Sequence, residues 1–409
     1  MGLRCAIVPP TPVPYREPLF RALAERPGLD ICVIYQSAGQ PSWDVPPEWF
    51  PTEHPYPAVH LRSRQRRRAG RTPVLWSHGL ERALRRADPD CVVVSEYGPA
   101  SLRALRFCRR HGRAYVIFSE CTPRIDSMLP GWQLTLHRRL ARQADGLIVA
   151  SSAARDRLLA FGVPEERIEV ALQAADVERF RAAARHDHWE PFTAAATPAP
   201  RRGPVKVISA GRLVPDKNFA TLIEAFARLD GGEVELEIAG TGFLQDELEQ
   251  LARRRGVPVR FLGHVPADEM PGLYASADVY ALISTYEPFG VAVREAAAAG
   301  LPIICSRAAG AAGDVAVEGR NALLIEPGDT DEIAGALDRL ISDPELRRQM
   351  GAESRAIDRE TEGSEVEAFA RAMVRAARRR GRAASPNGYE PSSAGRTSVA
   401  SRATDASGR

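Results

Sequence analysis

The amino-acid sequence predicts an α/β fold in which two doubly wound domains face each other across a cleft. Short apolar runs alternate with helical patterns through residues 1–185 and again through residues 205–362, which is typical of βαβ units and parallel sheets. The 409-residue length suits two domains of this kind. Between them, residues 186–204 lose the alternation, and the run ATPAPRRGP indicates a linker.

The first region predicts five strands, each followed or preceded by a helix. The strand-like runs are LRCAIVP, LDICVIY, CVVVSEYG, AYVIFSE and GLIVAS. The helical patterns are EPLFRALAER, SHGLERALRRADPD, ASLRALRFCRRHG, LTLHRRLARQAD and ARDRLLAFGV. Strands that alternate with helices in this way form a parallel sheet.

The second region repeats the same organisation. Its predicted strands are VKVISAG, VELEIAG, VRFLG, DVYALIS and LPIICS, and the helices between them include FATLIEAFARL, FLQDELEQLARRRG, ADEMPGLYASA and TDEIAGALDRLI. Residues 363–384 predict a C-terminal helix that packs back toward the N-terminal domain. Residues 385–409 are low in apolar residues and rich in Ser, Gly and Ala, which predicts a disordered tail.

The charge balance does not favour a nucleic-acid partner. The chain carries 55 Lys and Arg against 52 Asp and Glu, a formal charge of +3. Two basic runs stand out, at residues 62–71 and 378–382. Each is interpreted as a solvated loop or face, with an anionic membrane surface or an anionic acceptor as the alternative.

The six cysteines and the apolar runs bear on the compartment. No cysteine pair has C-x-x-C spacing and no disulfide framework is evident, so a cytoplasmic location is expected. MGLRCAIVPP is too short for a signal peptide, and no apolar run reaches the ~20 residues of a membrane-spanning helix. Any membrane contact is therefore expected to be peripheral.

Residues just after the strands are the candidates for a ligand site, because open α/β sheets bind ligands outside the carboxyl ends of their strands. In SAGRLVPDKNF, Gly211, Arg212 and Lys217 lie between a strand and a helix. Two cations beside a helix start suit a diphosphate, although two surface cations in a loop would give the same pattern. Gly242 in AGTG and Gly263 in FLGHV follow the next strands, where glycine permits close backbone approach or a tight turn.

The stretch STYEPFGVAVREAAAAGLP places one glutamate before a helix and another inside it. Glu287 follows a strand, and Phe289, Gly290 and Val291 lie at the helix start, where amide groups are free for phosphate or carboxylate oxygens. Glu295 lies one to two turns into the helix. A carboxylate can accept two hydrogen bonds and so suits a vicinal diol, whereas coincidence is the competing explanation for the spacing.

The motifs GRLVPDKN, AGTG, FLGHV and EPFGVAVRE with AAAAGLPII resemble family 4 of the retaining glycosyltransferases, which have the GT-B fold. The resemblance is specific over about residues 205–340 and diffuse over residues 1–180. It implies a nucleotide diphosphate sugar as donor, a hydroxyl-bearing acceptor and transfer of a hexose-type sugar with retention. It also implies that Arg212 and Lys217 bind the diphosphate, that Glu295 holds the ribose and that Glu287 contacts the hexose.

The first half departs from the family pattern in two places. A Gly-Gly loop is replaced by VPPTPVPYREPLF, with Tyr15 and Arg16, and a strand-end histidine is replaced by Ser-Glu pairs that end in Glu96 and Glu120. Glu120 is the candidate for a polar contact to donor or acceptor and for assisting deprotonation of the acceptor hydroxyl. A helix-capping or salt-bridged loop residue is the alternative, and the choice between Glu96 and Glu120 stays open.

No cofactor or metal is expected, because Arg212 and Lys217 can supply the positive charge that a divalent cation supplies elsewhere. The Asp-Pro-Asp run at residues 88–90 precedes its strand, at the wrong edge of the sheet, and His186 and His188 fall in the linker. Two other functions remain open on the sequence: a nucleotide-sugar epimerase of the same fold, and an inactive scaffold that binds sugar nucleotides.

Overall fold

A computed structural model describes residues 2–39, 49–68, 71–186, 203–229 and 233–381. Most of the predicted linker 186–204 and all of the predicted tail 385–409 lie outside these residues. The first half contains β1 (Leu3–Val8), α1 (Glu17–Glu25), β2 (Leu29–Tyr35), β3 (Ala58–His60), β4 (Ser63–Arg68), β5 (Arg71–Ser77), α2 (Leu80–Ala87), β6 (Cys91–Ser95), α3 (Pro99–His111), β7 (Ala114–Ser119), α4 (Gly131–Gln143), β8 (Gly146–Val149), α5 (Ser152–Ala160), β9 (Ile168–Val170) and α6 (Val177–His186).

The second half contains a comparable set of elements. They are β10 (Val205–Ala210), α7 (Phe219–Phe226), β11 (Val234–Ala239), α8 (Gln245–Arg255), β12 (Val259–Gly263), α9 (Met270–Ala275), β13 (Val279–Leu282), α10 (Val291–Ala299), β14 (Ile303–Ser306), β15 (Ala322–Ile325), α11 (Thr330–Ser342), α12 (Pro344–Glu360) and α13 (Ser364–Arg379).

Each half builds one parallel sheet. The first has the order β3-β2-β1-β6-β7-β8-β9 and the second β12-β11-β10-β13-β14-β15. In the central strand pairs, Cys5 of β1 lies beside Cys91 of β6, and Val207 of β10 lies beside Val279 of β13. The prediction of two doubly wound α/β domains is confirmed.

The central strands β6, β7, β13 and β14 are largely apolar because helices cover both faces of each sheet. In β6, Val93 packs into the core shared with α1 and α13, whereas Val92 and Val94 pack into the core shared with α2 and α3. The second sheet is covered in the same way, by α9 and α10 on one face and by α7, α8 and α11 on the other. Strands β3 and β9 were not predicted, since three residues give too short a pattern, and β15 was not predicted either.

The basic run at residues 62–71 lies largely in a hairpin rather than a loop. Strands β4 and β5 pair antiparallel, with Ser63 opposite Ser77 and Arg64 opposite Trp76. The hairpin stands apart from the main sheet of the first half.

Two helices cross between the halves. Helix α6, which the domain prediction assigns to the first domain, packs on α9 and α10 of the second. Its Phe180 ring lies 5.1 Å from that of Tyr274, and Arg181 pairs with Asp358 at 2.5 Å. Helix α13 packs on β7 and β8 of the first sheet. The C-terminal helix therefore lies against the domain formed by the first half.

The strand order indicates where on each sheet a ligand is expected to bind. The order reverses between β1 and β6 in the first sheet and between β10 and β13 in the second. Ligands of doubly wound sheets bind at such switch points, outside the carboxyl ends of the strands. The loops after these four strands therefore carry the candidate site.

The structure adds two observations on thiols and membranes. All six cysteines are free thiols. None of the helices in the described ranges has the length and apolar content required to cross a bilayer.

Candidate active site

The switch point of the second sheet is occupied by an ion pair. Lys217 ends a short 3-10 turn after β10, and its ammonium group contacts the carboxylate of Glu287, which follows β13. The hydroxyl of Ser284 lies 3.4 Å from the same carboxylate. The side chains of Lys217 and Glu287 are only 20% and 12% exposed, so water screens this pair less than a surface pair.

Two glycines pack directly against this pair. A Cβ on Gly211 would lie 3.3 Å from the Lys217 side chain, and a Cβ on Gly290 would lie 3.3 Å from Cγ of Glu287. Gly290 also has φ +100°, a left-handed conformation that favours glycine. Larger residues at these two positions would displace the charged side chains.

Helix α10 begins beside Glu287, at Val291 rather than at Phe289 and Gly290. Gly290 is the N-cap, Val291 is the first helical residue, and no side chain caps the helix. The Phe289 side chain is buried in the core, so only its backbone can face a ligand. The uncapped first turn provides amide groups and positive potential for an anion.

The glycines after β11 hold two loops against each other. A Cβ on Gly240 would come within 1.9 Å of the carbonyl oxygen of Gly211, and one on Gly242 within 2.4 Å of the carbonyl oxygen of Leu213. The close approach predicted for this turn is thus made to the neighbouring loop. Gly263, at the end of β12, has φ +65° and open space around the position of a Cβ.

Gly310 is a site residue that the sequence did not reveal. Its N–H donates to the carbonyl of Glu287 at 3.0 Å, and the next N–H, of Ala311, donates to the carbonyl of Phe289 at 2.8 Å. A Cβ on Gly310 would lie 2.1 Å from the carbonyl oxygen of Pro288. This segment clamps the backbone that carries Glu287. The only signal in the sequence is a glycine in an alanine-rich run after a strand.

Glu295 lies in α10 and accepts a hydrogen bond from the hydroxyl of Tyr274 at 3.2 Å. Burial raises the pKa of Glu295 to about 7; the Tyr274 hydrogen bond opposes this rise and the Asp176 carboxylate adds to it. The Glu295 carboxyl is therefore poised between its neutral and ionised forms near neutral pH.

Arg212 follows Gly211 at the end of β10, and its side chain is exposed. It forms no side-chain hydrogen bond or ion pair with any residue in the ranges that the structure covers. The structure thus brings Lys217 and Glu287 into contact. Among the residues it describes, none pairs with the Arg212 guanidinium.

On the opposite side of the cleft, Glu120 follows β7 and pairs with Arg16. The side-chain amide of Gln173 donates to the same carboxylate at 2.8 Å. Arg16 is 7% exposed, and its guanidinium lies 5.3 Å from the Phe118 ring centre. The sequence marked Arg16 only as a departure from the family pattern, because its partner is 104 residues away.

Glu96 and Glu120 have different surroundings. Glu96 has φ +62° after β6, and its carboxylate accepts hydrogen bonds from the Ser119 hydroxyl at 2.9 Å and the Glu120 N–H at 2.7 Å. Burial raises the pKa of Glu96, and the Glu120 carboxylate raises it further. Glu96 therefore holds the strand-end backbone, whereas the Glu120 side chain is held by Arg16 and Gln173.

Carboxylates from both halves raise the pKa of Tyr15, which lies in the loop after β1. Burial raises the pKa of Tyr15 to about 12; Arg16 lowers it, and the carboxylates of Glu120, Glu287 and Glu295 raise it. Tyr15 therefore lies within electrostatic range of charged groups that belong to both switch points.

Gln173 also connects the two sides through its backbone. Its carbonyl oxygen accepts a hydrogen bond from Arg294 at 2.8 Å, and Arg294 pairs with Glu365 at 3.2 Å. Arg294 precedes Glu295 in α10 and is 2% exposed. One residue thus contacts Glu120 with its side chain and the Glu295-bearing helix with its backbone. No pattern in the sequence predicts this link.

The aspartates at residues 88–90 are engaged elsewhere. Asp88 pairs with Arg4 at 2.8 Å and Asp90 with Arg113 at 3.0 Å, at the edge of the sheet opposite the cleft. Within the described residues, no group of three or more His, Cys, Asp or Glu side chains has metal-binding geometry. His188 lies outside the described residues.

Two facing doubly wound domains with charged groups at both switch points define the GT-B class. The family model "Glycosyltransferase Family 4" matches residues 19–179, and "Glycosyl transferases group 1" matches residues 195–357. A GDP-mannose-dependent alpha-(1-6)-phosphatidylinositol monomannoside mannosyltransferase of Mycobacterium tuberculosis is 30% identical over 292 residues, which cover 68% of this chain and 73% of that protein. The chain belongs to glycosyltransferase family 4.

Another curated relative agrees with this family, and solved structures share the fold. A glycogen synthase of Mycobacterium tuberculosis is 34% identical over 210 residues, 50% of this chain and 47% of that protein. The chain spans about half the length of this and several other curated relatives. Anabaena HepE in complex with UDP has a TM-score of 0.69 at 21% identity, covering 89% of this chain and 97% of HepE. Sucrose-phosphate synthase from Thermosynechococcus elongatus has a TM-score of 0.66 at 18% identity, covering 87% and 94% of the two chains.

The raised pKa of Glu295 gives a testable pH dependence. The carboxyl ionises near 4.5 when unfolded and near 7 when folded, so the folded state binds more protons between these values. The contribution of this carboxyl to the free energy of unfolding of the ligand-free protein therefore falls as pH rises from about 4.5 to about 7. Glu295→Gln should raise Tm relative to the parent protein by an amount that grows with pH and levels off above about 7.

The measurement is a series of thermal unfolding curves from pH 4.5 to 8.5. Glu247→Gln in α8 is the matched control, because Glu247 is exposed and has no side-chain partner in the described part of the chain. A Tm difference for Glu295→Gln that does not vary with pH would contradict the assignment of the raised pKa.

Proposed function

We propose that this protein is a retaining glycosyltransferase that moves a hexose-type sugar from a nucleotide diphosphate sugar to a hydroxyl acceptor. The observation that carries the proposal is the Lys217–Glu287 pair at the β10/β13 switch point, beside the uncapped start of α10. Family membership supports it. Relatives are named for glycogen synthesis and GDP-mannose-dependent transfer, and the HepE structures contain UDP or UDP-glucose.

The donor diphosphate is assigned to Lys217, Arg212 and the first amides of α10. Arg212 is exposed and has no side-chain partner in the described part of the chain, so it can meet the incoming anion without breaking a contact seen there. Lys217 is neutralised by Glu287 in the free protein. A diphosphate attracts Lys217 away from this partner, and the released Glu287 carboxylate then accepts hydrogen bonds from the hexose hydroxyls.

The nucleoside is assigned to the region around Glu295, Gly242 and Gly263. An ionised Glu295 accepts hydrogen bonds from the two ribose hydroxyls, for which a carboxylate is suited. The open space at Gly263, at the end of β12, leaves room for the base beside the backbone.

Transfer breaks the bond between the sugar anomeric carbon and the diphosphate oxygen. Negative charge grows on the leaving diphosphate, and Lys217, Arg212 and the α10 amides stabilise that charge in the transition state. The new bond forms between the anomeric carbon and the acceptor oxygen. We assign Glu120, held by Arg16 and Gln173, to contact the acceptor hydroxyl and assist the departure of its proton.

The first test identifies the donor and then separates the roles of two residues. A thermal-shift screen over nucleotide diphosphates and nucleotide sugars finds the ligand, because a binder at 100 times its Kd stabilises the folded state by about 2.7 kcal/mol. With that donor, Lys217→Ala should lower kcat about 100-fold with a smaller change in KM. Glu295→Ala should raise KM and the nucleotide Kd about tenfold, with a smaller loss of kcat.

Arg254→Ala in α8 is the control, since Arg254 is exposed and remote from the cleft loops. Full activity in both site variants, or the same change of kcat and KM in both, would overturn the site assignment. A screen in which no nucleotide raises Tm would count against the proposed donor class.

Retention is tested on the product of the first turnovers. The anomeric proton signal in NMR should show the configuration that the donor sugar had, because retention is part of the proposed reaction. Product of the opposite configuration at the earliest times would show that the transfer inverts.

Metal independence is tested with a chelator. Activity should change by less than about twofold in excess EDTA, because Lys217 and Arg212 supply the positive charge at the diphosphate. Loss of activity in EDTA that Mn²⁺ or Mg²⁺ restores would contradict this. A metal-dependent relative assayed in parallel confirms that the chelation was complete.

A further inference from the structure

The outer surface of α2 and α3 in the first half is strongly basic. The two helices carry seven arginines and a single acidic residue, Glu81. We call this surface the arginine face; its arginines are Arg82, Arg85, Arg86, Arg103, Arg106, Arg109 and Arg110. With an overall formal charge of only +3, the chain concentrates positive charge here.

Most of these arginines are available to a partner. Glu81 pairs with Arg85 at 2.8 Å and lies 3.9 Å from Arg110. Arg106 and Arg109 are exposed and form no side-chain hydrogen bond or ion pair within the described ranges, and the same holds for Arg82 and Arg86. The face therefore keeps a large net positive charge at neutral pH.

Apolar side chains lie at one end of the same surface. Leu102 is 44% exposed and shares one side of α3 with Arg106, Arg109 and Arg110, at spacings of four, seven and eight residues. Trp76 is 53% exposed in β5, which contacts α3.

The apolar end is tied to α3 by a hydrogen bond and lies near the cleft. Arg103 of α3 donates a hydrogen bond to the carbonyl of Ser77, the residue after Trp76. Across the hairpin, Trp76 pairs with Arg64, which is also exposed. Helix α3 begins at Pro99, three residues after Glu96, so the apolar end is the end nearest the cleft.

We propose that the arginine face, together with Trp76 and Leu102, docks this protein on a membrane surface that contains anionic lipids. Arginines attract anionic headgroups within a Debye length and extend their charged ends toward the headgroup layer. Tryptophan is favoured at the boundary between headgroups and acyl chains. The inference rests on the surface alone and goes beyond the proposed transfer reaction.

The shape and composition of the arginine face favour a membrane surface over a nucleic acid. The surface is formed by two helices side by side, with its apolar residues at one end, which suits contact with an extended flat layer. A single-stranded nucleic acid would be expected to use a groove with several stacking aromatics, and Trp76 is the exposed aromatic of this patch. An acidic protein partner remains an outcome of the test.

The test measures the partition of the full chain onto vesicles by flotation at 0.1 M salt. Vesicles of phosphatidylcholine with 30% phosphatidylglycerol should bind the protein at least about tenfold better than phosphatidylcholine alone, and 0.5 M salt should remove most of the difference. The triple variant Arg106→Gln, Arg109→Gln, Arg110→Gln should lower partition about tenfold or more. Trp76→Ser should lower it several-fold, and Trp76→Phe should restore it.

The matched control is Arg253→Gln, Arg254→Gln, Arg255→Gln in α8 of the second half, which removes the same charge from another helix. Thermal unfolding confirms that each variant is folded. Three results would overturn the proposal: an equal loss in the control, equal binding to neutral and anionic vesicles, or no vesicle binding. Binding of an oligonucleotide or polyglutamate through the arginine face, without vesicle binding, would also overturn it.

Discussion

The ion pair between Lys217 and Glu287 is the constraint that organises the cleft. The two residues come from loops 70 positions apart, and they meet only because the backbones of those loops are packed against each other. Gly240 and Gly242 allow the loop after β11 to support the loop after β10, and Gly310 clamps the segment that carries Glu287. A Cβ at any of these glycines would force the packed backbones of these loops to shift. The motif glycines are therefore explained by contacts within the protein before any ligand is considered.

The sequence was sufficient to predict the fold and the residues on the second-half side of the site. Long apolar runs such as CVVVSEYG predicted the central strands because parallel strands are buried on both faces. Gly211, Lys217, Glu287 and Gly290 could be predicted together because the family motifs mark them, and the structure brings them together; their roles stay predictions. The other side depends on partners distant in the chain. Nothing local to Arg16 or Gln173 indicates that both contact Glu120, since those contacts arise from the packing of separate loops.

The same distant contacts show how the two halves are coupled. Arg294 is buried beside the helix position that carries Glu295, and it binds both the Gln173 carbonyl and Glu365 at the start of α13. A buried guanidinium with these partners is costly to unpair. Movement of α10 relative to the first domain would therefore disturb the Gln173 contact with Glu120. The arrangement gives the two sides of the cleft a common physical link of two hydrogen bonds.

The crossing helices have a consequence for how proteins of this architecture can diversify. Helix α6 belongs to the first half by position but packs on the second, and α13 does the reverse. A gene recombination that joined halves of two relatives at the linker would therefore pair each sheet with a foreign covering helix. A recombined chain keeps its packing when each sheet is exchanged together with the helix that covers it. The segment exchanged as one unit is therefore discontinuous in the sequence.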